Sequence, residues 1–164
     1  RQMWLLRSSP LDLRALLWSK YWVGTIPLLV LALLLTGVTN VLLQVAPFMM
    51  IMSMAAMFAL TLAISAMALA FGAVYPQFET ENAAQIPTSF GGLVFMMATI
   101  ALLAGVILAL SQAVYTYVRR AYEGQPIAID SRMVFFFTVA AALCAAATVI
   151  PLRLALRKIE TFEF

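Results

Sequence analysis

Apolar residues run through this chain in long stretches with few breaks. No Asp, Glu, Lys or Arg occurs from Tyr21 to Phe78, from Asn82 to Val118, or from Met133 to Leu152. A membrane-spanning helix needs about 20 predominantly apolar residues. The first stretch therefore holds two spans and the other two hold one each. A short polar break at residues 44–47 divides the first stretch into an antiparallel hairpin. The pattern predicts spans over approximately residues 21–43, 48–74, 89–115 and 133–154. The expected fold is all-α, a single transmembrane domain of four helices. Residues 1–19 precede it as an interfacial helix, and residues 155–164 follow as a charged, amphipathic tail.

The lead-in at residues 7–22, RSSPLDLRALLWSKYW, carries its own helix signal. Pro10 suits the first helical position, where its missing N–H would be unpaired anyway. Ser9 then stands as N-cap with Asp12 three residues on, a weak capping box because Asp replaces the usual Glu or Gln. Leu13, Leu16 and Leu17 share a side, with Leu11 flanking and Arg14 pointing elsewhere. Trp18, Tyr21 and Trp22 gather around Lys20, a composition suited to headgroup depth. The stretch reads either as a docking helix at the membrane surface or as a basic anchor for the first span.

Within the spans, Pro27 is placed to kink the first helix. The second contains Met49, Met50, Met52, Met54 and Met57, then Ala55, Ala59, Ala63, Ala66 and Ala70. Small residues let helices approach closely in lipid, so the face with Ala59, Ala63, Ala66 and Ala70 is expected to meet another helix. The methionines could serve copper(I), since thioethers are soft ligands, but no Cys or His converges with them; packing or lipid contact is the plainer reading. Asn40 and Gln44 either line a cargo path or bond across helices. Residues 75–88 form the longest polar interruption before the third span. Their only charges are Glu79 and Glu81, followed by Asn82, and they form either a docking surface or a solvated loop. Residues 116–132 are a second polar segment.

Composition fits this picture. The chain is 65% hydrophobic and 10% charged, with a mean hydropathy of +1.01, which excludes an ordinary soluble domain. The net charge of +3 points to the membrane surface and not to nucleic acid, because the basic residues flank spans. Arg1, Arg7, Arg14, Lys20, Arg153, Arg157 and Lys158 fall on one side of a four-span arrangement, and Arg119, Arg120 and Arg132 on the other. Positive residues favour the cytoplasm, so both ends are expected there, with the 44–47 turn outside and the 75–88 loop inside. Arg1 in place of an initiator Met reads as the start of a fragment whose earlier spans lie upstream.

Catalytic signatures are missing. The sequence has no G-x-x-x-x-G-K-[ST] phosphate loop, no H-E-x-x-H and no G-x-S-x-G. Cys144 is its only cysteine and it has no histidine, so Cys/His metal and haem motifs are absent. No ionisable side chain lies within a span, which argues against a proton-coupled carrier. A channel is disfavoured because no charged ring or filter-like segment is visible. The chain is not expected to be an enzyme or to hold a cofactor or metal.

Two stretches carry a family resemblance: LLRSSPLDLRALLWSKYWVGTIP before a span, and FGAVYPQFETENAAQIPTSFGGL between two spans. With this order of elements, the chain resembles the C-terminal part of the membrane (permease) subunit of bacterial ATP-binding-cassette exporters. The resemblance covers nearly the whole chain and rests on no catalytic residue. It implies a coupling helix that docks on a separate ATPase subunit, a role that would fall on Ser8, Ser9, Pro10, Leu11, Asp12, Leu13 and Arg14. It also implies six spans in the whole permease, of which these are the last four, a homo- or heterodimer of such subunits, and a place in the bacterial inner membrane. The expected function is export of a cargo driven by the partner's ATP hydrolysis. The alternative is a non-transport membrane scaffold or regulatory subunit. Residues 116–132 would match the short extracellular helices of such exporters.

Overall fold

A computed structural model describes residues 13–75, 89–123 and 131–161. Four long helices account for nearly all of them: α1 (Leu13–Leu42), α2 (Pro47–Val74), α3 (Phe90–Tyr122) and α4 (Ser131–Thr161). All four are long and apolar enough to cross a membrane, and no strand occurs among the described residues. Of the residues expected to dock or to face a loop, Ser8, Ser9, Pro10, Leu11, Asp12, Glu79, Glu81 and Asn82 lie outside the described ones. Leu13 and Arg14 belong to α1.

α1, α3 and α4 outrun the expected spans, while α2 keeps to its own within one residue. α1 has 30 residues, which at 1.5 Å per residue is about 45 Å, against a hydrocarbon core of about 30 Å. It passes from Leu13 through Trp22 into the span without interruption. α3 continues beyond Tyr115 to Tyr122, and α4 runs on through Arg153 and Arg157. Extending a formed helix fixes one residue for each bond gained, so helices do not stop where apolar composition stops. α1 and α4 also continue through Pro27 and Pro151, each of which removes one internal hydrogen bond.

The α1–α2 hairpin is closed by backbone geometry. Gln44 has a φ of 50°, the left-handed region. Its N–H donates to the Val41 carbonyl at 3.2 Å, and the Val45 N–H donates to the Asn40 carbonyl at 3.1 Å. These two bonds make a Schellman motif, with Gln44 where glycine is usual. Pro47 then opens α2 at the position where its missing N–H has no consequence. At the start of α3 the Ser89 hydroxyl caps the helix by accepting from the Gly92 N–H at 3.1 Å.

α2 is the central element. It packs against α1 and most extensively against α4; α3 packs mainly on α4 and more lightly on α2. The interior is built from small side chains: Ala63, Ala109, Ala140 and Cys144 surround Val106. Ala63, Ala66 and Ala70 are fully or almost fully buried, and Ala59 packs against the same cluster. This is the helix-facing stripe that the sequence predicts for α2. Lipid tails are as apolar as Leu, so close packing and not hydrophobic burial holds such helices together. Large apolar side chains such as Val41, Leu42, Met97 and Leu108 point outward, towards hydrocarbon. Hydroxyls inside the helices donate to carbonyls three or four residues back, as Thr36 does to Ala32 and Thr99 to Phe95. No buried side-chain nitrogen or oxygen among the described residues lacks a partner, as a bilayer interior requires.

Candidate functional site

Near the base of α1, Tyr21 meets the middle of α2, with the end of α4 alongside. Its ring is only 6% exposed, and its hydroxyl donates to the Leu62 carbonyl of α2 at 3.2 Å. Trp18 and Trp22 flank it edge-on, with centroids 5.9 and 5.6 Å away. One turn on, the buried Thr25 donates to the Tyr21 carbonyl at 2.6 Å. Leu17, Trp18 and Tyr21 of α1 face Leu69 of α2 and Leu152 and Leu156 of α4 across a gap of only about 10 Å³. Ala155 of α4 is 1% exposed at the same level, so the seam is close-packed.

This end of the bundle is also rich in aromatics and cations. Phe71 stacks on Tyr75 and meets Phe95 edge-on, and Tyr75 meets Phe90 edge-on, with centroids 5.8–6.5 Å apart. Gly91 makes this corner possible. A Cβ there would lie 2.7 Å from the Tyr75 Cβ, well inside contact distance, so the end of α2 and the start of α3 approach as closely as a glycine allows. Lys20, Arg153 and Arg157 lie at the same end of the sequence order of spans.

At the opposite end of the hairpin, the Asn40 amide donates to the Ser53 hydroxyl at 2.7 Å, and Ser53 donates to the Met50 carbonyl at 2.9 Å. Asn40 therefore bonds across helices, and Gln44 forms the turn. In the methionine-rich part of α2, the Met54 methyl lies 3.9 Å from where a Cβ on Gly37 would stand, filling the α1–α2 seam. Among the described residues no cluster of three His, Cys, Asp or Glu could hold a metal.

α1 is an unbroken rod whose base, at Leu13, lies two turns from the buried Tyr21, which is bonded to α2. The sequence marked Tyr21 only as a headgroup-depth aromatic. Its pairing with Thr25 four residues later was the one local sign of a buried face. No curated protein and no solved structure matches the chain. Residues 1–164 match the model of the family described as "Putative ATP-binding cassette", and the chain belongs to that family.

Proposed function

We propose that this chain is the membrane-embedded permease part of an ATP-binding-cassette exporter. The observation that carries the proposal is a chain of this family made of four long apolar helices with no phosphate-binding loop in its sequence. The nucleotide-binding cassette that the family description names then belongs to a separate subunit or to another part of the protein. ATP binding and hydrolysis there drive the helices between conformations, and cargo moves outward between paired permease subunits in the bacterial inner membrane.

In this reading both ends of the chain face the cytoplasm, and Ser8, Ser9, Pro10, Leu11, Asp12, Leu13 and Arg14 form the surface that meets the ATPase. Glu79, Glu81 and Asn82 lie on a loop of the same side. The continuity of α1 from Leu13 to Leu42 supports the assignment. A push at its base reaches Tyr21, and through its bond to Leu62 it reaches α2, with no hinge in between.

The test is co-purification of the full-length protein with its ATPase, followed by an ATPase assay in lipid. Leu13→Glu puts a charge where docking would desolvate it. The variant should reach the membrane normally and then lose either the partner or the response of ATP hydrolysis to cargo. Arg14→Ala should do less. If Leu13→Glu keeps both partner and coupling, the stretch is only an anchor and the scaffold reading takes its place. Orientation is checked separately in a Cys144→Ala background. An impermeant thiol reagent on intact cells should label Val45→Cys and spare Thr80→Cys, and the reverse pattern rules out cytoplasmic docking.

A further inference from the structure

A cleft of about 530 Å³ opens between the end of α3 and the start of α4, at the far end of the bundle from Tyr21. Its polar wall is Gln112, Thr116 and Arg119 from α3, with Ser131 and Arg132 from α4. Its apolar wall is Tyr115, Phe135 and Phe136. The geometry points to a binding site for an anionic phospholipid, with the phosphate headgroup held between Arg119 and Arg132 and the acyl chains lying along the exposed apolar side of α3 and α4.

Four observations meet here. First, the lining holds two guanidiniums and, among the described residues, no carboxylate. Among the described residues, Glu123 pairs with the Arg119 Nε, at 2.9 Å. A guanidinium has five N–H donors, so the terminal nitrogens of Arg119 remain available. Its side chain is 65% exposed. Second, the volume lies within the range of about 300–1,000 Å³ typical of small-molecule sites. Third, the depth is right for a headgroup. Arg119 is the first charge after the apolar run of α3, and Arg132 the last before that of α4. Fourth, the apolar wall continues outward: Tyr115 and Phe135 are 64% and 61% exposed, and Ile107 and Leu108 further down α3 are 60% and 67% exposed. A site for a small free anion has no use for that wall. Arg is suited to the task because its planar fork matches phosphate oxygens in pairs.

The proposal does not depend on the permease reading. The full-length protein is placed in phosphatidylcholine nanodiscs doped with phosphatidylglycerol, released from them, and native mass spectrometry reads the phosphatidylglycerol it retains. The wild type should keep phosphatidylglycerol in preference to phosphatidylcholine. Arg119→Gln and Arg132→Gln should each lower that retention about tenfold, the size of one lost charged hydrogen bond. Arg132→Lys should keep part of it, since charge remains and the fork is lost. Lys20→Gln and Arg153→Gln, at the other end of the bundle, should leave it unchanged. Inorganic phosphate should not displace the lipid, and Phe135→Ser should weaken retention. Unchanged retention in both Arg119→Gln and Arg132→Gln overturns the proposal. So does an equal loss in Lys20→Gln and Arg153→Gln, which would mean general attraction to basic ends. Displacement by inorganic phosphate overturns the lipid assignment in favour of a free-anion site.

Discussion

Gly91→Ala adds one methyl group at the tightest point between helices. The new Cβ would stand 2.7 Å from the Tyr75 Cβ, 3.1 Å from its Cγ and 3.4 Å from Cδ2. Carbon atoms in comfortable contact are about 3.5–4.0 Å apart, so the pair must separate by about 1 Å. A rotamer change cannot provide this, because the nearest atom is the Cβ, fixed to the backbone of Tyr75. The end of α2 or the start of α3 has to move, and the Phe71–Tyr75–Phe90 contacts move with it. Overpacking of this kind costs about 1–3 kcal/mol. Alanine is the better helix former by about 1 kcal/mol in a helix interior, but Gly91 is the second residue of α3, where little of that gain applies. The net expectation is a loss of about 1–2 kcal/mol. Equilibrium unfolding of the purified protein in mixed micelles reads it directly. Combining Gly91→Ala with Tyr75→Gly removes the clashing Cβ. The double variant should be more stable than the sum of the two single losses predicts, which isolates the steric part. A Gly91→Ala protein as stable as the wild type would refute the close approach.

Asn40→Ala should cost about 0.6 kcal/mol, the average for a hydrogen bond between membrane helices, and adding Ser53→Ala should cost little more, measured by the same unfolding titration. Gln44→Val should destabilise the hairpin by about 1–2 kcal/mol, because a β-branched residue resists the left-handed conformation. Gln44→Gly should be tolerated, with any loss under about 1 kcal/mol, since relief at the turn offsets the greater freedom of the unfolded chain.

The existence of the four helices was legible because uninterrupted apolar runs of bilayer length have few alternatives. The stripe Ala59, Ala63, Ala66 and Ala70 was legible for a related reason: small residues at helical spacing mark where backbones can meet. Helix ends were not. Hydropathy reports where the side chains leave hydrocarbon, and α3 goes on for seven residues after the expected end at Tyr115. The role of Tyr21 was hidden because beyond Lys20 α1 is apolar on nearly every face, with only scattered Thr and Asn to mark the side turned inward. Asn40 fitted two readings, with bonding across helices the plainer one, until its partner Ser53, thirteen residues away across the turn, was in place.

The alanine-lined interior also bears on how the bundle could move. Interlocked large side chains act like gear teeth, and one helix passes another only after rotamers are released. Around Ala63, Ala109, Ala140 and Cys144 there is less to release, because alanine has no rotamers, and the larger Leu60, Leu102, Leu110 and Val139 pack at the margin. The contact is smooth, and a small sliding displacement between packed helices, the shear mode of conformational change, meets low friction there. The α1–α2 pair is built differently. It is pinned at Tyr21–Leu62, at Asn40–Ser53 and at the Gln44 turn. The two seams differ in kind: one is a hydrogen-bonded pair of helices, and the other a small-residue contact that offers sliding less resistance.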